Sequence, residues 1–471
     1  MTEKSDRKKE MTRVSKPDFF FSPRTVAIVG ATPVKGRISN IILESLRRIG
    51  FPGRVFPVNP KYSSIEGMDC YPSLTDIKEE VDVAVFAVPA ALTPGLIRDA
   101  RDDIKGAVVI SGGFAEAGAE GITLENELRG LSSSVRIIGP NCMGIYDTVS
   151  RLDTFFISFE RIKRPQKGRL SIISQSGSFA VTAMDELAAE GIGVARVVSY
   201  GNKADMNEAD CLEFLADDEH TGAVAVYIES VSDGRRFVAA AAACSAKKPV
   251  LAIKVGKTAE AAGAARSHTG AIAGRYEVYR AAFKKAGIIE LGGYEDFISA
   301  CKAYGMGLPS ARGRRVMIIT DGGGIGVALA DACAWARLQA APLPKELHDE
   351  MKKTVPSYFA VSNPMDLTGS ATDGLFADSL EKTMAGDHYD IAIVAPMWGP
   401  PALSDNLPKL IADKARKSGK PVIICTPGGE FTRSRMELFR KQGLPVFLTP
   451  ESAVKAAMVL ADGKITQRAP V

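Results

Sequence analysis

TVAIVGATPVKGRIS, residues 25–39, joins an unbroken apolar run to a glycine turn and then to a helical pattern. A β-branched run of this kind suits a strand covered on both faces. The same succession recurs at VDVAVFAV (81–88), GAVVISGG (106–113), RLSIISQSG (169–177), GAVAVYIES (222–230), KPVLAIKVG (248–256), RRVMIITDGGG (314–324), YDIAIVAP (389–396) and KPVIICTPGG (420–429). Strands alternating with helices define an α/β chain built on parallel sheets. Ligands of such folds gather beyond the carboxyl ends of the strands. The basic segments FERIKRPQKGR (159–169) and GLPSARGRR (307–315) separate three consecutive domains, at 18–150, 165–305 and 313–465.

The 471 residues are ordinary in composition, 46% hydrophobic and 24% charged. A net charge of +4 is too weak to argue for a nucleic-acid partner and does not oppose small anions. Seven cysteines, at 70, 142, 211, 244, 301, 333 and 425, include no CxxC pair and are odd in number, so a reduced, cytoplasmic chain is expected. The charged start MTEKSDRKKEMTRVSK has no signal-peptide core, and residues 1–17 are expected to be a disordered tail. No apolar run approaches the ~18 residues of a membrane span.

The turn after 25–30 has a Rossmann-like layout, yet GxGxxG is absent: after Gly30 the next glycine is Gly36. The second strand, RVFPVNPKY, ends in Asn59-Pro60-Lys61, where a dinucleotide enzyme usually carries an acid for the ribose. Lys35, Arg37 and Lys61 place positive charge there instead. That suits a more phosphorylated ligand such as coenzyme A; an ordinary α/β turn with solvated lysines is the alternative. The loops AVPA (87–90), SGGFAE (111–116) and IIGPNCMG (137–144) follow strands and can line the same crevice. Cys142 among them is either a nucleophile or a small buried apolar residue.

In the second domain ISQSGSFAVTAMDELAAEG (173–191) runs from strand to helix, with Ser174, Ser176 and Ser178 around Gly177. Open N–H groups, hydroxyls and the helix dipole make an anion site there, although N-capping needs only one serine. His268 lies in RSHTGAIAG (266–274), a segment with little to pack. An imidazole on such a loop is a competent nucleophile near neutral pH. The other histidines, 220, 348 and 388, sit in polar surface contexts. Glu229, at the end of GAVAVYIES, is the candidate to fix the imidazole tautomer.

Taken in order, IIGPNCMG, ISQSGSFAV, YGNKADMNEADCLEFL, YIES, KPVLAIKVGKT and SHTGAIAG resemble α subunits of succinyl-CoA synthetase. The third domain makes the chain similar to the α subunits of ADP-forming acetyl-CoA (acyl-CoA) synthetases. The resemblance spans residues 18–465. It implies a Rossmann-like CoA-binding domain followed by two flavodoxin-like domains. It places Gly30, Ala31, Thr32, Lys35, Asn59, Lys61, Val88, Pro89 and Asn141 near CoA. It makes His268 the phosphohistidine and Glu229 its supporting acid. Ser176, Gly177, Ser178, Gly270 and Gly399 would hold phosphate. A second phosphate-holding helix is expected to start at APMWGPP (395–401), and Gly323, Asn363 and Asp366 to face the substrate. No metal site is expected in this chain.

The implied reaction is acyl-CoA + ADP + phosphate ⇌ carboxylic acid + CoA + ATP. No GxxxxGK[ST] loop is present and no segment resembles an ATP-grasp domain, so ADP/ATP with Mg2+ is expected on a partner β subunit, in an α2β2 complex. A non-catalytic CoA-sensing module, related to acetyltransferase-fused chains, is the alternative. An NAD-dependent oxidoreductase fits less well, because GxGxxG and the ribose-binding acid are missing.

Overall fold

The computed structural model describes residues 17–258, 260–261, 274–356, 359 and 361–463. The tail expected at 1–17 lies outside them except for Pro17, and so do His268 and Gly270. By its internal contacts the chain divides into two compact units. The first runs to Glu186 and adds Val194–Cys244 and Lys254–Gly287; the second comprises Leu187–Gly193, Ser245–Ile253 and the chain from Ile288 onward.

The first unit opens with a five-stranded parallel sheet. Its strands are β1 (Thr25–Val29) and β2 (Arg54–Val58), then, after a small hairpin of β3 (Ser64–Ile65) and β4 (Met68–Asp69), β5 (Val81–Phe86), β6 (Ile104–Val109) and β7 (Arg136–Ile138). The order is β2-β1-β5-β6-β7. Every residue of β1 and β5 is buried, which explains their continuous apolar sequences. In this doubly wound arrangement the strand order reverses between β1 and β5. The crevice for a ligand opens there, between the loops at 30–37 and 87–92.

The same unit holds β8 (Gly144–Asp147), β9 (Leu152–Asp153), β10 (Lys167–Ser174), β11 (Val194–Ser199) and β12 (Ala223–Ile228). β10 pairs in parallel with β11 on one side and β12 on the other. β8 runs antiparallel to β11, and β9 to β8. This antiparallel edge differs from the all-parallel expectation. GIYD is too short and too polar to announce itself as a strand.

One buried cation organises this region. Arg196 of β11 forms a bidentate pair with Asp218, at 3.1 Å for each bond, and a second pair with Asp147 of β8. Its guanidinium also lies over the rings of Phe21 and Phe214, which stack on each other at 4.0 Å. Phe21 belongs to the short helix Asp18–Phe21, so the start of the described chain is fastened to the second sheet.

In the second unit, β13 (Val250–Lys254), whose last residue the division assigns to the first unit, and β14 (Ile289–Leu291) form a parallel pair. A further five-stranded parallel sheet follows: β15 (Val316–Thr320), β16 (Met365–Asp366), β17 (Ile391–Ala395), β18 (Val422–Cys425) and β19 (Val446–Phe447). Its order, β16-β15-β17-β18-β19, repeats that of the first sheet. A crevice is therefore expected between the loops after β15 and β17.

Candidate active site

The turn after β1 is shaped by close backbone approach. Gly30 has φ +86°, and a β-carbon there would stand 2.7 Å from the Ala87 carbonyl oxygen and from Val88 Cγ1. Only glycine meets both demands without strain. Asn59 donates from Nδ2 to the Ala31 carbonyl at 2.7 Å and accepts from the Lys61 N–H at 3.0 Å. The carboxamide thus shapes the loop, and Lys35, Arg37 and Lys61 stand exposed around it. Val88 is half-buried, its carbonyl accepting from the Ser111 hydroxyl, and Pro89 is exposed on the loop after β5. Thr32 accepts from the Val34 N–H at 3.3 Å. A glycine turn with cations at its rim fits the phosphates of a CoA-like ligand.

The loops after β6 and β7 meet the loop after β11 of the second sheet. Asn141 has φ +56° and donates to Asn202 Oδ1 at 3.4 Å. Asn202 spends its amide on Glu116 Oε2 at 2.6 Å and Glu125 Oε2 at 3.0 Å. Burial alone would raise the Glu116 carboxyl, but the Asn202 amide and the Gly113 N–H hold it below its ordinary value. Asn202 N and Ala204 N bond to the carbonyls of Pro140 and Gly139, both at 2.9 Å. Gly201 passes so near that a β-carbon would lie 2.2 Å from the Pro140 oxygen. The neighbouring Cys142 is not a nucleophile. Its thiol is buried, lies 3.3 Å from the Val109 carbonyl and is pushed by burial up to about 12.

Around the 174–178 turn the serines divide their tasks. Ser176 caps the helix Gly177–Ala189, accepting from the Phe179 N–H at 3.3 Å. The Ser174 hydroxyl is spent on the Ser176 carbonyl at 2.7 Å. Ser178 is exposed, with its hydroxyl 3.2 Å from that of Ser176. One serine therefore does the capping and a second is spent within the turn, so the Ser178 hydroxyl stands beside the capping Ser176 and the N-terminal N–H groups at the helix start. Gln175 ties this turn to Glu229. Its N–H bonds to the Tyr227 carbonyl at 3.3 Å, and its Oε1 accepts from the N–H groups of Glu229 and Ser230, both at 3.1 Å. Glu229 is buried at the end of β12.

Sequence reasoning missed what surrounds Glu229. Lys203 is 5% exposed and reaches Glu208 Oε2 at 3.3 Å and the Ser230 carbonyl. Lys254 is 1% exposed, with its ammonium 4.6 Å from the centre of the Tyr279 ring. Tyr227 hydrogen-bonds Glu229, and burial together with that carboxylate raises its phenol. The available signal was a lysine closing an otherwise apolar strand, in KPVLAIK.

In the second unit no helix starts at 395–401. After β17 the chain runs as a loop through Trp398–Pro401, and the next helix is Leu407–Ser418. Two consecutive prolines, which lack N–H donors and restrict the residue before them, keep the segment irregular. Gly399 is exposed in that loop. The helix that follows a strand directly here is Gly323–Trp335, capped by Gly322. Beside its start Asp321 is 7% exposed. One carboxylate oxygen accepts from the Met397 N–H at 2.7 Å; the other is buried and has no hydrogen-bond partner among the described residues. Asp366 lies close by, with Oδ2 2.6 Å from where a Gly323 β-carbon would stand. Asn363 faces inward, its carboxamide bonded to Ile318 N and to the Val316 and Ala341 carbonyls at 2.8–3.0 Å. It staples the strand that ends at this crevice.

Burial pushes Asp321 up to about 6, and Asp366 adds repulsion. A carboxyl raised in the folded state stabilises the fold below its unfolded value and loses that contribution as pH rises through about 6. Asp321→Asn is therefore expected to stabilise the protein at pH 7.5 by roughly 1–3 kcal/mol and to give little at pH 4. Urea midpoints at the two pH values check this, and an equal gain at both would contradict it.

Three family models tile the chain: a CoA binding domain over residues 24–148, a succinyl-CoA ligase like flavodoxin domain over 167–304 and a ligase-CoA domain over 316–461. Acetate–CoA ligase [ADP-forming] II subunit alpha of Pyrococcus furiosus is 35% identical, over 94% of this chain and 97% of its own length. Acetate–CoA ligase [ADP-forming] I of Archaeoglobus fulgidus is 39% identical over 93% of this chain, which spans 62% of that longer protein. Among solved structures, an acetyl-coenzyme A synthetase 1 of Ca. Korarchaeum cryptofilum, described as dinucleotide forming and in complex with phosphate and ADP, superposes with a TM-score of 0.88. It is 34% identical, with 95% of this chain and 96% of that one covered. Fold and site together thus define a CoA ligase chain of the succinyl-CoA ligase type. More narrowly, the chain belongs to the family of α subunits of ADP-forming acetate–CoA ligases. No helix among the described residues is long and apolar enough to cross a membrane.

Proposed function

We propose that the chain is the α subunit of an ADP-forming acyl-CoA synthetase, with acetyl-CoA as the reference substrate. Inorganic phosphate attacks the thioester carbonyl; the C–S bond breaks and CoA leaves as the thiolate. The imidazole of His268 then attacks phosphorus in the acyl phosphate; the P–O bond breaks and the carboxylate departs. Phospho-His268 passes its phosphoryl group to ADP, giving ATP. Dividing the transfer makes each step a displacement at one site.

The observation that carries this reading is Gln175, which joins the serine turn to Glu229 within one hydrogen-bonded layer. An anion held by Ser176, Gly177 and Ser178 at the helix start would have its charge stabilised as it develops. Glu229 would accept the second ring N–H of His268 and fix its tautomer. Gly270, beside that histidine, would let the loop backbone approach phosphate. CoA would lie along Gly30, Ala31, Thr32, Lys35, Asn59, Lys61, Val88, Pro89 and Asn141.

ADP with Mg2+ would be bound by an ATP-grasp β subunit in an α2β2 complex. The A. fulgidus relative, whose length exceeds this chain, supports a second component. Seven buried cysteine thiols support a reducing, cytoplasmic setting. The test is incubation with labelled inorganic phosphate and acetyl-CoA. Acid-labile, base-stable label on the chain is the expected result. A CoA-sensing module would take up none.

A further inference from the structure

Lys254 is a buried cation that the reaction above does not use. It closes β13 with 1% of its surface exposed, and its ammonium donates to the Val255 carbonyl. The Val255 N–H bonds to the Ile228 carbonyl at 3.1 Å, so the residue after Lys254 stands beside the residue before Glu229. Among the described residues, the groups acting on Lys254 are Glu229 at the end of β12, Lys203 after β11, Lys257 on the following loop and the Tyr279 ring. Glu229 is the carboxylate among them. Lys203 is hydrogen-bonded to Glu208 and also feels the Glu229 charge, so Lys254 is the cation near Glu229 with no carboxylate bonded to it among the described residues.

We propose that Lys254 is a positioning residue, whose ammonium keeps the buried Glu229 ionised and oriented as the acceptor for the histidine that carries phosphate. The proposal rests on the phosphohistidine reading. A carboxylate moved out of water without a nearby cation takes up a proton instead. A protonated Glu229 would offer the imidazole a donor where an acceptor is needed. Burial pulls Lys254 itself down to about 8, although Glu229 opposes this. The ammonium therefore begins to discharge just above neutral pH, and the attraction that orients the Glu229 carboxylate weakens there.

The experiment is single-turnover labelling of the full chain, with phosphate and acetyl-CoA, followed from pH 5.5 to 9.5. The wild type is expected to slow above about pH 8. Lys254→Met is expected to move the acid limb up by about one pH unit and to lose up to about tenfold on that limb. Lys254→Arg keeps a permanent cation, and its alkaline limb moves beyond that of the wild type. A Lys254→Met chain that is slower at every pH with unchanged limbs has lost only structure, and the proposal fails. Should the Lys254→Met chain not fold, identical alkaline limbs in the wild type and Lys254→Arg overturn it equally. Absence of label on the wild type would instead refute the phosphohistidine reading and is told apart at once.

Discussion

Replacing His268 with alanine is expected to abolish phosphate labelling and ATP formation, by at least ~10³-fold. The size follows from covalent participation. A positioning contact can be lost in part, whereas a chain without the nucleophile has no atom to which phosphorus can transfer. Aspartate at 268 is expected to fail as well, because it adds negative charge where an anion must approach. CoA binding should survive both changes, since the residues proposed to hold CoA lie in the first sheet's loops and at Asn141. The measurement pairs acid-labile label with a CoA titration on the same preparations. Retained label on the alanine variant would remove His268 from the mechanism. Loss of CoA affinity alongside label would indicate damage to the fold.

Arg196→Met is expected to cost about 3–5 kcal/mol of stability without altering any residue assigned to phosphate or CoA. Asp147 and Asp218 would remain buried with their cation gone. Desolvation is what gives the loss its size: the methionine side chain replaces the packing against Phe21 and Phe214 but neutralises neither carboxylate. Adding Asp147→Asn and Asp218→Asn to Arg196→Met should recover a large part, as both stranded charges disappear. The check is the shift of the urea midpoint at constant slope. An Arg196→Met chain within about 1 kcal/mol of the wild type would mean that water reaches this cluster.

The sheets were legible because their strands announce themselves: β1, β5, β10, β12, β15, β17 and β18 are apolar runs bounded by glycine, proline or charge. β11 was harder to see. VARVVS carries an arginine at its middle, and only the fold reveals that Arg196 is buried against two acids. Glu229 could be singled out because it ends a strand. Lys203 and Lys254 could not, since a lysine's burial depends on which carboxylates the topology brings beside it. The turn APMWGPP followed a strand and so resembled a helix start, but its prolines keep it a loop, and the helix start beside it is that of Gly323–Trp335, after β15. Cys142 looked reactive only while its depth was unknown.

The amide of Asn202 holds Glu116 and Glu125, and Arg136 reaches from β7 to Asp205 and Asp210 at 2.8 and 3.0 Å. These bonds decide where the chain can be cut and rejoined. A chimaera that exchanges residues 18–150 alone would import foreign partners for Asn202, Asp205, Asp210 and, through Phe21, Arg196. A graft meant to bring in another CoA preference should carry the strip from Arg196 to Asp210 with it. For this chain the module that can be transplanted is larger than the domain drawn around its first sheet.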